Sequence, residues 1–122
     1  MDTALFIDYT GIGCYEDTTD RAIPTLEDTD PVLDGGVFSY QSRQNAIVKC
    51  AVAARKRDFP AFALQDGGLC AASANALKTF NKHGKSSDCK NDGRGGPFAN
   101  NIYVFQDKVS SECFFFSGAY RI

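Results

Sequence analysis

Five cysteines, Cys14, Cys50, Cys70, Cys89 and Cys113, are scattered along a chain of 122 residues that holds a single histidine, His83. No two of them form a C-x-x-C pair, and one histidine adds little to a ligand set, so a zinc site is not indicated. Scattered cysteines in a small, loop-rich domain point instead to disulfides, and disulfides to an oxidising compartment. The expectation is a secreted, extracellular protein. The opening residues "MDTALFI" lack both the basic start and the length of a signal peptide. Met1 therefore opens a mature domain or, failing that, the chain acts inside the cell. The sequence holds no N-x-S/T glycosylation site and no apolar run near the ~20 residues of a membrane helix, so membrane insertion is not expected.

The length suits a single domain over residues 1–122, and 43% apolar with 23% charged residues is ordinary for a folded chain with a core. The net charge of −2 hides a strong asymmetry. Residues 1–34 carry nine carboxylates against Arg21, whereas residues 43–94 carry ten bases against four acids. Either the two halves neutralise each other, within the fold or across an assembly, or the second half presents an anion-binding face. The first is the expectation, because the bases fall mainly on outward helix positions, where solvated charge is normal. No nucleic-acid role is assigned.

"ALFIDYTGIGCYED" alternates Leu5, Ile7 and Tyr9, then meets Gly11 and Gly13, which predicts an opening strand with a bend or bulge at the glycines. Residues 17–42 keep no period and read as a long ordered loop pinned by Ile23, Leu26, Val32, Leu33 and Phe38. "SRQNAIVKCAVAARKR" is the clearest helix. Ser42 is its expected cap, Ala46, Ile47, Cys50, Ala53 and Ala54 its inner face, and Arg43, Lys49, Arg55, Lys56 and Arg57 its outer face. "AFALQD" reads as a central strand and "SANALKTFNKHG" as a second short helix from Ser73 to Gly84, with Ala76, Leu77 and Phe80 inward. "NIYVFQ" and "ECFFFSGAYRI" both read as strands. The fold class is α+β: a small disulfide-linked domain with one main helix packed on an antiparallel sheet and long ordered loops.

Taken in order, "GCYEDTTDRAIP", "NAIVKCAVAARKRDFPAFALQDGGLCAASANA" and "DCKNDGRGGPFANNIYVF" resemble the WSC domain, an extracellular cysteine-rich carbohydrate-binding module. The shared pattern is a G-C-Y start, a helix with a cysteine, a strand and turn leading to a further cysteine, and a glycine-rich loop before the last strand. The resemblance spans about residues 11–105, leaving 106–122 as a C-terminal strand extension. The same pattern is similar to repeated extracellular domains of marine invertebrates. It implies the fold and a glycan or polysaccharide as partner. The chain has four cysteines in this region, fewer than such domains usually hold, and Ala54 and "LCAAS" stand where further cysteines would be.

Four cysteines allow three pairings. Cys50 with Cys70 would join the helix to the end of the strand beneath it, and Cys14 with Cys89 would tie the first strand to the polar loop. These are the favoured pairs. Cys113 is then a buried thiol, an intermolecular bridge or a partner in a different pairing.

Catalytic readings find little support. His83 stands where the second helix ends, with Ser86, Ser87 and Asp88 merely close in sequence, and Cys70 is better explained as half of a disulfide. "GRGG" has neither a preceding strand nor a following helix, so it is no phosphate loop. "DTTD" and "EDTDPVLDGG" do not match the EF-hand pattern, although irregular carboxylate loops of this kind leave calcium open as a ligand. The stretch "DCKNDGRGGPFANN" is different, because so much polar, glycine-rich backbone before a buried strand marks either a self-bonded loop or a binding site. Lys90, Asp92, Arg94, Asn100, Asn101 and Tyr103, completed by Gln65 and Asp66 from the strand end, form the candidate glycan-binding set. Phe98 would add an apolar face. Two other readings stand beside it. One is an extracellular assembly protein, a homo-oligomer joined through Phe114–Phe116. The other is a binder of a hydrophobic ligand or pigment, since the chain has fifteen phenylalanines and tyrosines.

Overall fold

The computed structural model describes residues 7–34 and 39–106. Phe38, Cys113, Phe114–Phe116 and the strand expected over 112–122 lie outside the described residues.

Four strands form one antiparallel sheet in the order β1-β4-β2-β3. They are β1 (Tyr9–Glu16), β2 (Ala61–Gln65), β3 (Leu69–Ala72) and β4 (Ala99–Phe105). The register of β1 against β4 slips between Gly11 and Gly13, the bulge expected from the two glycines. Ile7 and Asp8 precede the strand. β2 is central, as its apolar alternation predicts. Its five residues are all buried because both faces of the sheet are covered.

On one face lies α1 (Ala46–Lys56). Ala46, Cys50, Ala51, Ala53 and Ala54 pack on Phe62, Leu64, Cys70, Ala72 and Phe105, and Leu26 and Leu33 from the long loop close the cluster. Small alanines bring the helix close to the sheet, so the aromatic bulk comes from the strands. The Phe62 ring stacks on Tyr103 at 5.1 Å and meets Tyr9 edge-on at 5.3 Å. The other face is covered by the loop residues Ala22 and Ile23 and by α2 (Ala76–Thr79), which meet Ala61, Ala63, Ala71 and Ile102.

Several expectations need correction. Ser42 does not cap α1: it ends a 3-10 turn, Tyr40–Ser42, and the cap position falls to Asn45 in a left-handed conformation (φ 53°) with no side-chain cap bond. The intervening Arg43 is extended, and its side chain runs inward rather than out to solvent. Its guanidinium grips Glu27 through two bonds of 2.9 and 2.7 Å and also donates to the Gly68 carbonyl. α2 is a single turn, not a helix from Ser73 to Gly84, and Leu77 is exposed. With only Ala76 and Phe80 to bury, nothing holds further turns in register. "LCAA" is a strand, β3, that its alanine-rich brevity conceals.

The charge asymmetry resolves within the fold. Acidic residues of the first half reach bases of the second: Glu27 to Arg43, Asp30 to Lys56 and Arg57, Asp34 to Lys49, Asp20 to Lys82. Apart from Asp28, the carboxylates of the two calcium-like stretches are drawn into these pairs or, for Asp17, into bonds with Arg21 and Gln65. Among the described residues no group of three His, Cys, Asp or Glu is placed to hold a metal ion. Among them, too, no helix is long and apolar enough to cross a membrane.

Both favoured disulfides are present. Cys50–Cys70 joins α1 to β3, and Cys14–Cys89 joins β1 to the polar loop.

Candidate functional site

The β2–β3 turn and the polar loop 85–98 meet at one end of the sheet. Asp66 begins the turn in a left-handed conformation (φ 51°), and its amide donates to the Gly96 carbonyl at 3.1 Å. The Gly67 amide donates to Arg94 O at 2.9 Å. Within the loop the Lys90 amide donates to Gly95 O at 3.0 Å, and Tyr103 anchors the far side by donating its hydroxyl to Gly93 O at 2.6 Å. The chain runs too close to itself here for side chains at Gly67, Gly68, Gly95 and Gly96. A Cβ on Gly67 would stand 2.8 Å from Gln41 O, and one on Gly96 would overlap the Asp88 carbonyl. The Cys14–Cys89 bond fixes the loop's start.

This backbone encloses an open cleft of about 270 Å³. The side chains of Gln41, Asp66, Lys90, Asp92 and Arg94 line it. Asp66 accepts hydrogen bonds from the Gln41 amide at 2.8 Å and from the Tyr40 hydroxyl at 3.3 Å. Burial, then the Asp66 charge, pushes the Tyr40 phenol up, so it stays a donor. Asp92 accepts from the Arg94 amide at 3.0 Å, a bond that outweighs burial and, with the Arg94 charge, holds its carboxyl below the usual range. Arg94 is loosely tethered, with contacts of 3.4 Å to Asp92 and to Arg43 O, and Lys90 is exposed. The cleft thus offers two carboxylates, two cations and an amide on a floor set by backbone bonds.

Four of the eight candidate residues line this cleft: Asp66, Lys90, Asp92 and Arg94. The others serve the fold. Asn101 accepts the Gly95 amide at 2.7 Å. Tyr103 is packed in the core, where burial and the neighbouring Tyr9 raise its pKa. Gln65 and Asn100 are buried side by side, Gln65 donating at 3.0 Å to Asn100 and at 2.8 Å to Asp17. Asp17, equally buried, would be raised by burial, but the Ala22 amide, Arg21 and Gln65 bring its pKa below the ordinary value. Gln65 and Asn100 thus face a buried polar site beside Asp17 at the end of the sheet rather than the cleft, and Asn100 Nδ2 has no partner there among the described residues. Gln41 is the wall that sequence reading missed. It comes from an unpatterned turn positioned by long-range contacts, the Arg43–Glu27 clamp and the bonds of Tyr40 and Gln41 to Asp66. His83 bonds the Asp20 carbonyl at 2.7 Å and Thr18, so it ties two loops together.

Fold and cysteines define the class: a small α+β domain, one helix on a four-stranded antiparallel sheet, held by two disulfides. The chain matches no family model, no curated protein and no solved structure.

Proposed function

We propose that this domain is a secreted, non-catalytic glycan-binding module whose site is the cleft between Gln41, Asp66 and the 90–96 loop. The observation that carries the reading is convergence: residues far apart in sequence bring donors and acceptors together on a floor too tight for side chains. Sugar hydroxyls both donate and accept, and interleaved carboxylates, amide and cations match such a surface better than a single-sign patch would. Two disulfides agree with an oxidising, extracellular setting. The WSC resemblance points the same way. Nucleic acid is not the partner, since the cleft's two cations are balanced by two carboxylates.

The test is a glycan array probed with non-reduced protein, with and without calcium, alongside Lys90→Ala/Arg94→Ala and Asp66→Asn. Saturable binding lost in both variants, with unchanged thermal midpoints, is the expected result. Retention by both variants would remove the cleft as the site, and a blank array would remove the function.

A further inference from the structure

Beside the cleft stands an aromatic residue whose conformation and exposure are both unusual. Gly96 and Ala99 bond each other across a two-residue turn, Pro97-Phe98, and Phe98 occupies its second position with φ 49°. That position ordinarily takes glycine or asparagine, and a bulky side chain there is an outlier. Strain of this sort persists only where the surroundings impose it, and it gathers at binding sites. Phe98 is nonetheless 47% exposed, the one aromatic among the large exposed apolar side chains of the described residues. Ile12, Val48 and Leu77 are isolated aliphatics on three separate elements, as on any protein surface.

The ring is also supported. The Arg21 guanidinium lies 5.9 Å from its centroid. Arg21 is itself fixed from below, where Nη1 donates to the buried Asp17 at 2.9 Å and to Gln65 at 3.3 Å, while the side chain keeps 36% of its surface open. The Phe98 carbonyl accepts the Asp17 amide, so backbone and side chain rest on the same anchor. Phe98 is tied to the cleft through the chain, following the cleft's Gly96 by two residues, a reach of at most ~7 Å.

From this geometry we propose that Phe98, with Arg21 beside it, is a stacking subsite for a second sugar ring, so that the domain selects oligosaccharides over monosaccharides. The inference rests on the glycan reading of the cleft and extends it. The cleft, at about 270 Å³, falls short of the ~300–1,000 Å³ typical of pockets for drug-sized ligands, so one ring fills it and the next must lie outside. The apolar face of a pyranose ring fits against an exposed phenyl, and the outer edge of the guanidinium offers donors to its hydroxyls.

The experiment uses the full chain on an array of glucose, galactose, mannose, xylose and galacturonate homo-oligomers, each printed at one to six units. Wild type, Phe98→Ala and Phe98→Gly are compared, with thermal midpoints recorded. Wild-type affinity is expected to rise about tenfold from one unit to two or three, the ~1.4 kcal/mol of one aromatic contact. Both variants should lose that rise and keep single-unit binding. Phe98→Gly should melt no lower than wild type, because glycine suits the left-handed turn. If the variants show the wild-type length dependence, or wild type shows none, the subsite is refuted and the cleft stands. If wild type binds nothing on the array, cleft and subsite fall together.

Discussion

Mild reduction of the native protein is expected to open Cys14–Cys89 while Cys50–Cys70 stays closed. Cys50 and Cys70 have no exposed surface, lying between α1 and the sheet, whereas Cys14 and Cys89 are half-buried. A thiolate must reach the sulfur it attacks, so access orders the two reactions. The energetic consequence runs against the burial order. Cys14–Cys89 spans 75 residues and Cys50–Cys70 spans 20, for which the chain-entropy expression gives about 4.5 and about 3.3 kcal/mol. The more accessible bond is thus the more stabilising. A domain of this size has a total stability on the order of 5–15 kcal/mol, so losing about 4.5 removes a third of it or more. Cys89 directly precedes Lys90, so the cleft loosens as well. The assay uses Cys113→Ser protein, leaving four reporting sulfurs. It would be exposed briefly to graded dithiothreitol, alkylated and peptide-mapped, with urea unfolding followed before and after. Alkylation confined to Cys14 and Cys89, with a stability loss of about 4 kcal/mol, is the expected result. Equal labelling of all four, or a loss below about 1 kcal/mol, would refute the reasoning.

Arg43→Ala should destabilise by about 3–5 kcal/mol in urea titrations, because it leaves the Glu27 carboxylate with only the Cys70 amide and the Gly68 carbonyl without its guanidinium donor, in a site where Arg43 is only 3% exposed; a loss under about 1 kcal/mol would show that the clamp is dispensable. Burial alone would raise Asp30, but the Val32 amide, Arg57 and Lys56 outweigh it and bring its pKa from the ordinary 3.8 to about 2. A carboxyl depressed in the folded state stabilises above its unfolded pKa, so about 2 kcal/mol present at pH 5 should fade between pH 4 and 2. Asp30→Asn should flatten that part of the stability profile, and an unchanged acid slope would contradict it. Gly96→Ala should lower the thermal midpoint by several degrees, since the added methyl meets the Asp88 carbonyl; a neutral result would mean that the loop floor yields.

Periodic apolar pattern made much of the fold legible. The α1 face with Cys50 at its centre, the alternation in β2, the glycines of the β1 bulge and the buried Ile23, Leu26 and Leu33 are local signals, and each appears where expected. Polar residues were harder, because type does not tell whether a group faces a ligand or a buried partner. Gln65 and Asn100 belong to the same chemical class as Gln41, yet the first two are buried, Gln65 bonding both Asn100 and Asp17, and the third walls the cleft. That difference depends on contacts across dozens of residues. Arg43 misled for the same reason: its helical spacing suggests solvent, and partners distant in sequence, Glu27 from the long loop and the Gly68 carbonyl, turn it inward. β3 was hidden because four residues, two of them alanine, are too few to carry a period, and its identity comes from pairing with β2.

The pairing of β1 with β4 has a consequence for how such a domain can be deployed. Tyr9 sits opposite Phe105, and the Gln106 amide donates to the Asp8 carbonyl at 2.9 Å. The polypeptide enters and leaves through the same doorway, roughly one ladder spacing of ~5 Å apart. A unit built this way is a bead rather than a link: it can be spliced into a surface turn of a host protein without prising that turn open. It also lends itself to circular permutation, with a short linker from residue 106 back to residue 8 and new ends cut in an exposed loop outside the cleft.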